Sequence, residues 1–199
     1  MRLLVIFVTL AFGLVIAQAQ PADREALWKE VADAEKKGLP KTAAAKLQLI
    51  YDSAMQEGKH AEGIKALAKR ITNEGAVQGN KPEEKITRLQ AELEKTPEEA
   101  KPLLQTILGH WYWQYFRANR YRFLQRTATA QPLGEDFAKW DLPRLYHEID
   151  LHFTNALADG RLKTIPTTDF ADLLTKPTLP EKYRPTLYDF IAHEALGFY

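Results

Sequence analysis

Histidine and glutamate, whose side chains often bind zinc or transfer protons, come together in the segment His147-Glu148-x-x-x-His152. A zinc-binding helix carries its two histidines four residues apart, so that both imidazoles lie on one face. These two histidines are five residues apart, which separates them by about 140° around a helix. Glu148 and His152 are four residues apart and could share a metal, but this spacing favours an ion pair within one helix.

Other side chains that could do chemistry are few. The chain has no cysteine, its only serine is Ser53, and it contains no glycine-rich phosphate loop. His110 precedes an aromatic run, where a hydrogen-bonded core histidine is the usual interpretation. The adjacent His193 and Glu194 do not face each other on a helix. We therefore predict a protein that is not an enzyme and that uses no cofactor or metal.

The densest group of aromatic residues lies between residues 101 and 127, which hold two of the four tryptophans. At helical spacing, the apolar residues of this stretch fall on more than one face, as expected for a central helix that others bury on several sides. The aromatic residues expected to support the core are Trp111, Trp113, Tyr115 and Phe116. Further candidate core or interface residues are Asn119, Arg120, Arg126, Trp140, Asp141, Tyr188 and Asp189.

Several arginines follow these aromatic residues and give the stretch a cationic end. One interpretation is a helix end with capping or ion-pair charges, and the other is a polyanion site that stacks nucleic-acid bases. The whole chain carries 27 basic and 26 acidic residues, so it offers no wider basic surface for nucleic acid. We expect Arg120 or Arg126 to bind Asp141 or Asp189 through two parallel hydrogen bonds.

The first nineteen residues have the pattern of a secretory signal peptide. Arg2 provides the positive end, residues 3–16 the apolar segment, and Ala17-Gln18-Ala19 the cleavage site. The apolar segment is short for a permanent membrane span, and no cysteine follows it for lipid attachment. We predict that residues 20–199 form one exported domain in the periplasm, the cell envelope or the medium. No integral membrane segment is expected after cleavage.

Three amphipathic segments follow at residues 22–37, 41–57 and 60–74, and glycine-containing turns separate them. Alanines along these segments would let neighbouring helices approach closely, as in tetratricopeptide arrays of antiparallel helix pairs. The signature residues of those repeats are absent, and no second copy recurs at their period. The pattern thus predicts helical hairpins similar to tetratricopeptide repeats, without identifying a repeat.

Four further helices are predicted in the rest of the chain. One covers residues 82–95, and Thr96 is expected to cap the long central helix, which reaches Asn119 or beyond. Asp141 is expected to cap a helix that stops at Gly160, and the last helix is expected to begin at Pro185. Its inward residues should be Leu187, Phe190, Ile191 and Leu196. The prediction is all-α, with helical hairpins packed around a central aromatic-rich helix.

Short segments run in order along the predicted domain: WKEV at 28–31, KGLPKTA at 37–43, LQ at 104–105, W-x-Y-F at 113–116, NRY at 119–121, RT at 126–127, KWD at 139–141 and RPTLYDFIAHEAL at 184–196. In order and spacing they resemble the helical N-terminal region of large bacterial alpha-2-macroglobulin-like proteins. Together they span nearly the whole of residues 20–199.

The resemblance implies a longer parent protein in which β-sandwich macroglobulin domains, a bait region and often a thioester follow the helices. Such proteins trap or inhibit proteases at the cell envelope. This chain has no cysteine to form a thioester and no identifiable bait segment, so inhibition would belong to the parent protein. The expected partners are the downstream macroglobulin domains and, through them, target proteases. The alternative is a free-standing exported adaptor of the tetratricopeptide type that binds proteins.

Overall fold

The computed structural model describes residues 23–125, 134, 136–174 and 183–199, which fold into seven α-helices without a β-strand. The helices are α1 (Arg24–Lys36), α2 (Pro40–Gln56), α3 (His60–Val77), α4 (Pro82–Glu92), α5 (Lys101–Leu124), α6 (Leu142–Leu157) and α7 (Leu187–Phe198). Short 3₁₀ helices lie between them at Phe137–Lys139, Gly160–Thr164 and Thr167–Phe170. The all-α prediction is therefore confirmed for these residues, whereas the predicted signal peptide lies outside them.

Similar turns join α1 to α2 and α2 to α3. Each turn contains a glycine in the left-handed region, Gly38 with a φ of +67° and Gly58 with a φ of +69°. In the first turn the Leu39 amide donates to the Ala34 carbonyl at 2.9 Å, and the second turn repeats this hydrogen bond at 2.8 Å. The chain reverses within three residues each time, so the successive helices pack side by side.

Helix α5 is the centre of the described fold. Every residue from 102 to 110 is buried, and α3, α4, α6 and α7 all pack against this helix. The sequence predicts the central helix from its aromatic residues, yet complete burial falls on the turns that precede them. From residue 111 onward the helix is partly covered, with Trp111 and Trp113 half-buried and Tyr115 and Phe116 buried.

The start of α5 differs from the prediction, because Thr96 belongs to the end of α4. The Thr96 hydroxyl donates to the Glu92 carbonyl at 2.8 Å, and Thr96 is buried there. Residues 97–100 then form a separate turn, in which the Ala100 amide donates to the Pro97 carbonyl at 2.9 Å. Helix α5 begins only at Lys101, and α4 ends three residues before its predicted end.

Side chains cap the starts of α6 and α7. Asp141 accepts a hydrogen bond from the Arg144 amide at 3.0 Å, so it caps α6 as predicted. In α7, Thr186 and Asp189 form a capping box, in which each side chain accepts a hydrogen bond from the other residue's amide. This box places the helix start at Leu187, and the prediction of a start at residue 185 is wrong.

The ends of α3 and α6 also differ from the sequence prediction. Helix α3 passes its predicted stop at Gly75 and ends at Val77, because the glycine with a left-handed φ is Gly79 (+94°). Helix α6 ends at Leu157, and Gly160 begins a 3₁₀ helix rather than stopping α6. Both differences concern a single helical turn and leave the order of the helices unchanged.

The buried apolar side chains form two clusters. The smaller cluster joins α1, α2 and α3 through Leu27, Val31, Ala34, Ala43, Leu47, Ile50 and Ala66. The larger cluster extends from α3 through α4, α5 and α6 to α7, and Tyr51 of α2 packs against both clusters. Leu196 is predicted to face inward but is 79% exposed, because the inward face of α7 passes through Glu194 and Ala195.

Candidate binding sites

Several of the predicted aromatic residues lie where α5, α6 and α7 meet. Trp113 stacks on Phe116 with ring centroids 5.6 Å apart, and Phe116 meets Tyr146 of α6 edge to face at 5.0 Å. Phe198 of α7 packs edge-on against Trp113 at 5.5 Å. We call these four residues the aromatic ladder. Phe116 is buried and Trp113 is half-buried, so the ladder belongs to the core at one side and to the surface at the other.

The other predicted aromatic residues hold separate parts of the chain together. Tyr115 is buried and its hydroxyl donates to a glutamate of α4 at 2.7 Å. The indole N–H groups of Trp111 and Trp140 donate to backbone carbonyls of residues 173 and 134, at 3.4 Å and 2.7 Å. Tyr188 is half-buried, with the Lys163 ammonium 4.6 Å from its ring centroid. These contacts are structural, and each joins segments that are distant along the chain or stabilises a loop.

The predicted arginine–carboxylate contact is not made by Arg120 within the described residues. Arg120 is exposed and pairs with no carboxylate there, while Arg126 lies outside the described residues. The two predicted acceptors have other roles, since Asp141 caps α6 and Asp189 completes the capping box of α7. The Asn119 amide donates to the backbone carbonyl one turn earlier in α5, at 2.9 Å.

A buried histidine–glutamate pair joins α5 to α7. Nδ1 of His110 donates to the Glu194 carboxylate at 3.0 Å, and the side-chain amide of Gln114 donates to the same oxygen at 3.0 Å. Burial by itself would raise the pKa of Glu194, but these two hydrogen bonds hold the pKa of that carboxyl below its ordinary value. His110 is thus a hydrogen-bonded core histidine, as its place in the sequence predicts.

A second buried polar group lies between α5 and α6, and it includes the two residues that the sequence predicts to form an ion pair within one helix. His152 is buried, and its Nδ1 donates to Oε1 of Gln105. Burial lowers the pKa of His152 to about 4, so the imidazole is neutral at pH 7. Its Nε2 lies 3.6 Å from the nearest oxygen of Glu148, which is also buried. The predicted contact between these two residues within α6 is therefore formed, but it is buried and its imidazole is neutral at pH 7.

A groove of about 800 Å³ lies between the start of α3 and the 3₁₀ helices that follow α6. Its floor includes the buried side chains of Leu103 and Leu162, and its rim includes Lys59 and Glu62. Trp28 of α1 lines the groove and donates from its indole nitrogen to Glu62 at 2.8 Å. A groove with an apolar floor and a polar rim is the usual form of a binding surface.

The sequence analysis missed three residues with structural roles, two in buried contacts and one in a helix cap. The side-chain oxygens of Gln105 and Glu194 each accept a hydrogen bond from a histidine inside the core. Thr186 begins the capping box of α7. The capping box was detectable, since threonine followed three residues later by an acidic residue is a known start signal. The two buried polar contacts leave no such local signal, because each depends on a residue from a distant helix.

Neither a metal centre nor a membrane-spanning helix is found in the described part of the chain. Its histidine, aspartate and glutamate side chains form no group of three that could hold a metal ion. None of its helices has the length and apolar character needed to cross a membrane.

Comparison with known proteins gave no match for this chain. No family model matches it, and neither does any curated protein or solved structure.

Proposed function

We propose that this chain is the non-enzymatic, helical N-terminal module of an exported protein similar to bacterial alpha-2-macroglobulin-like protease inhibitors. In this proposal, the helical domain is a scaffold that acts in the periplasm, at the cell envelope or in the medium. Capture of proteases belongs to macroglobulin domains elsewhere in the parent protein. The partners of the module are those domains and, through them, the target proteases.

The observation that carries this proposal is that the segments resembling the family build the fold. The segment at 37–43 contains the left-handed turn at Gly38, and the segment at 139–141 contains the buried Trp140 and the α6 cap Asp141. The segment at 184–196 contains the capping box of Thr186 and Asp189. Structural roles at these residues support a fold shared with that family.

The outer side of α7 suits contact with another domain. Leu196 and Tyr199 are three residues apart and are 79% and 75% exposed, and Phe198 of the aromatic ladder lies between them in sequence. Adjacent exposed apolar side chains often mark a protein contact. This surface supports a module that packs against a neighbour, which in the proposal is a macroglobulin domain.

The groove beside α3 favours a second candidate function, a free-standing adaptor similar to tetratricopeptide proteins. Helical hairpins such as α1–α2–α3 commonly present grooves to extended peptides, and this groove combines an apolar floor with a charged rim. The adaptor would bind a peptide segment of a partner without needing any further domain. It therefore makes a different prediction about what the gene encodes.

The reading frame beyond Tyr199 separates the two candidates, because the inhibitor needs a long β-rich continuation. The product of the whole reading frame and residues 20–199 would each be mixed with proteases of different specificity, with casein as the substrate. We expect the long product to protect casein and residues 20–199 to leave its cleavage unchanged. The heat-denatured long product is the control for simple competition as a substrate.

Two results would contradict the inhibitor proposal. The first is a stop codon directly after Tyr199, which would favour the adaptor. The second is a long product that protects casein from none of the proteases.

A further inference from the structure

A cavity of about 600 Å³ lies between α4, α5 and α6, separate from the groove beside α3. Aromatic side chains from Tyr112, Phe137 and Trp140 line it, together with the polar side chains of Gln90 and Glu148. Tyr112 stacks on His152 with ring centroids 5.4 Å apart, so the wall of the cavity adjoins the buried polar group between α5 and α6. No role proposed above uses this cavity.

The Glu148 carboxylate lines this cavity without a hydrogen-bond donor from the described residues. Its side chain is only 9% exposed, and the nearest guanidinium nitrogen of Arg144 is 3.5 Å away without hydrogen-bond geometry. A buried carboxylate normally accepts several hydrogen bonds, because the loss of its water shell is otherwise costly. Glu148 therefore has acceptor capacity that the described residues do not use.

His152, one turn later on α6, cannot supply the missing proton. Because an amide oxygen, Oε1 of Gln105, faces Nδ1, the proton of the neutral ring is assigned to Nδ1, and Nε2 then carries a lone pair. This Nε2 is buried, has no hydrogen-bond partner and lies 3.6 Å from the Glu148 carboxylate. Two acceptors thus face each other, and neither satisfies the other.

The other residues that line the cavity add hydrogen-bond acceptors and negative charge. Gln90 of α4 has a buried side-chain oxygen with no hydrogen-bond partner, and Glu94 contributes a second carboxylate at the exposed rim. Arg144 is the single cationic residue among the described lining residues. The described lining therefore presents two buried acceptors without donors, the Glu148 carboxylate and the Gln90 oxygen, and carries more negative than positive charge.

We propose that this cavity binds a primary ammonium group, with the Glu148 carboxylate as its anion and the Gln90 oxygen as a further acceptor. An ammonium group brings a positive charge and three N–H donors, and it can take the place of the Arg144 guanidinium over the Trp140 ring for cation–π attraction. A quaternary ammonium ion brings charge without donors, and a neutral sugar brings donors without charge. Because two buried acceptors of the described lining have no donor and the lining carries a net negative charge, the cavity favours a ligand that supplies both N–H donors and positive charge.

Arg144 acts as an internal competitor for this ligand. Its guanidinium lies 5.0 Å from the Trp140 ring centroid and is the cation nearest to Glu148. Its side chain is 49% exposed, so it can turn outward when a ligand enters. Removal of the Arg144 charge should therefore strengthen binding, whereas removal of the Glu148 charge should weaken it.

The test is isothermal titration calorimetry of the purified protein with 1,5-diaminopentane as the probe. We expect saturable binding that Glu148→Gln weakens by about tenfold, the effect of about 1.4 kcal/mol from one charge-assisted contact. Arg144→Gln should tighten binding severalfold. Glu98→Gln is the matched control, because its carboxylate is 81% exposed, and it should leave the affinity unchanged. Circular dichroism would establish that each variant is folded.

Three comparison ligands define the chemistry. Tetramethylammonium and glucose should each bind at least about tenfold more weakly than the diamine. Nα-acetyl-lysine amide carries the same primary ammonium on a protein-like side chain. Equal affinity for it would support a lysine of a partner protein as the source of the ammonium, and a preference for the diamine would support a small-molecule ligand.

The proposal is overturned if the diamine shows no saturable binding, or if tetramethylammonium binds as tightly as the diamine. It is also overturned if folded Glu148→Gln retains the affinity of the unmodified protein. If Glu148→Gln does not fold, the Arg144→Gln variant decides, and an affinity that is unchanged or weaker overturns the proposal. None of these results depends on whether the parent protein inhibits proteases.

Discussion

Among the single residues of this protein, the buried polar side chains have the clearest expected effect on how stability depends on pH. His110 and His152 both lie inside the helical core, but their partners differ. His110 donates to a carboxylate, whereas His152 donates to the amide oxygen of Gln105 and is neutral. We therefore expect protonation of His152 to oppose folding in acid.

The first prediction concerns the dependence of stability on pH. Burial lowers the pKa of His152 from 6.5 to about 4, so between these values the unfolded chain binds a proton that the folded protein does not. The contribution of His152 to stability is complete above pH 6.5 and is lost as the pH falls towards 4, by about 3 kcal/mol. Urea unfolding across this range should give a smaller loss of stability for His152→Gln than for the unmodified protein.

The matched control for this experiment is His147→Gln, since His147 is exposed on the same helix. It should keep the full loss of stability between pH 6.5 and 4. Equal pH dependence in His152→Gln and the unmodified protein would show that His152 takes up its proton in the folded state as well.

The second prediction compares two aromatic residues of the core. Phe153 of α6 has no exposed surface, whereas Trp113 of the aromatic ladder is half-buried. Phe153→Ala should lower the free energy of unfolding by about 3–5 kcal/mol, because it leaves a cavity that the neighbours cannot fill. Trp113→Ala should cost less, because solvent already reaches part of its ring. A larger loss for Trp113→Ala, measured by denaturant unfolding, would place the main core contacts at the ladder instead.

Among the helices, the contact between α5 and α6 depends on a glycine that lets the helices approach closely. A Cβ atom added at Gly109 would lie 2.8 Å from Cδ1 of Phe153 and 3.3 Å from Cβ of His152. Phe153 and His152 are both buried, so neither ring can move aside freely. This close approach also brings His152 to within hydrogen-bonding reach of Gln105 on α5.

The third prediction is that Gly109→Ala destabilises the protein although alanine is the better helix former. The gain from helix propensity is about 1 kcal/mol, and the clash with Phe153 should cost about 1–3 kcal/mol. Gly197→Ala is the matched control, because Gly197 lies in α7 with no atom near the added Cβ. It should leave stability unchanged or raise it by about 0.5 kcal/mol. Thermal unfolding that showed a gain for Gly109→Ala would contradict the close contact.

In the described molecule as a whole, the two apolar clusters suggest two regions of different stability. Helix α1 contributes three small or medium side chains to the smaller cluster, whereas α5 is surrounded by four helices. Lys69 of α3 connects the two regions, since its ammonium lies 3.1 Å from Glu35 of α1 and 2.5 Å from Asp172. Asp172 is 40% exposed, so this link is partly screened by water.

The fourth prediction is that α1 opens at a lower free energy than α5. Native-state hydrogen exchange should show faster exchange for the amides of α1 than for residues 102–110, because less apolar surface holds α1 in place. Ile50→Ala removes a buried side chain of the smaller cluster and should lower protection in α1 and α2 more than in α5. Equal protection of α1 and α5 in the unmodified protein would show that the described helices open only together.

Local signals in the sequence specify most of the helices and several of their ends. Apolar residues at helical spacing identify the segments that become helices, and the glycines at residues 38 and 58 stop α1 and α2. Asp141 caps α6 through a hydrogen bond three residues away. Each of these features acts within one or two helical turns, so the order of residues is enough to predict it.

Packing between helices sets the features that the sequence prediction missed. Glu148 and His152 have the spacing of a pair on one helix face, but that face is buried against α5, and the hydrogen-bond partner of His152 is Gln105, 47 residues earlier. His110 and Glu194 meet across 84 residues. The spacing of residues along one helix shows which side chains share a face. It does not show which neighbouring helix will cover that face, because burial and hydrogen-bond partners arise only when the helices come together.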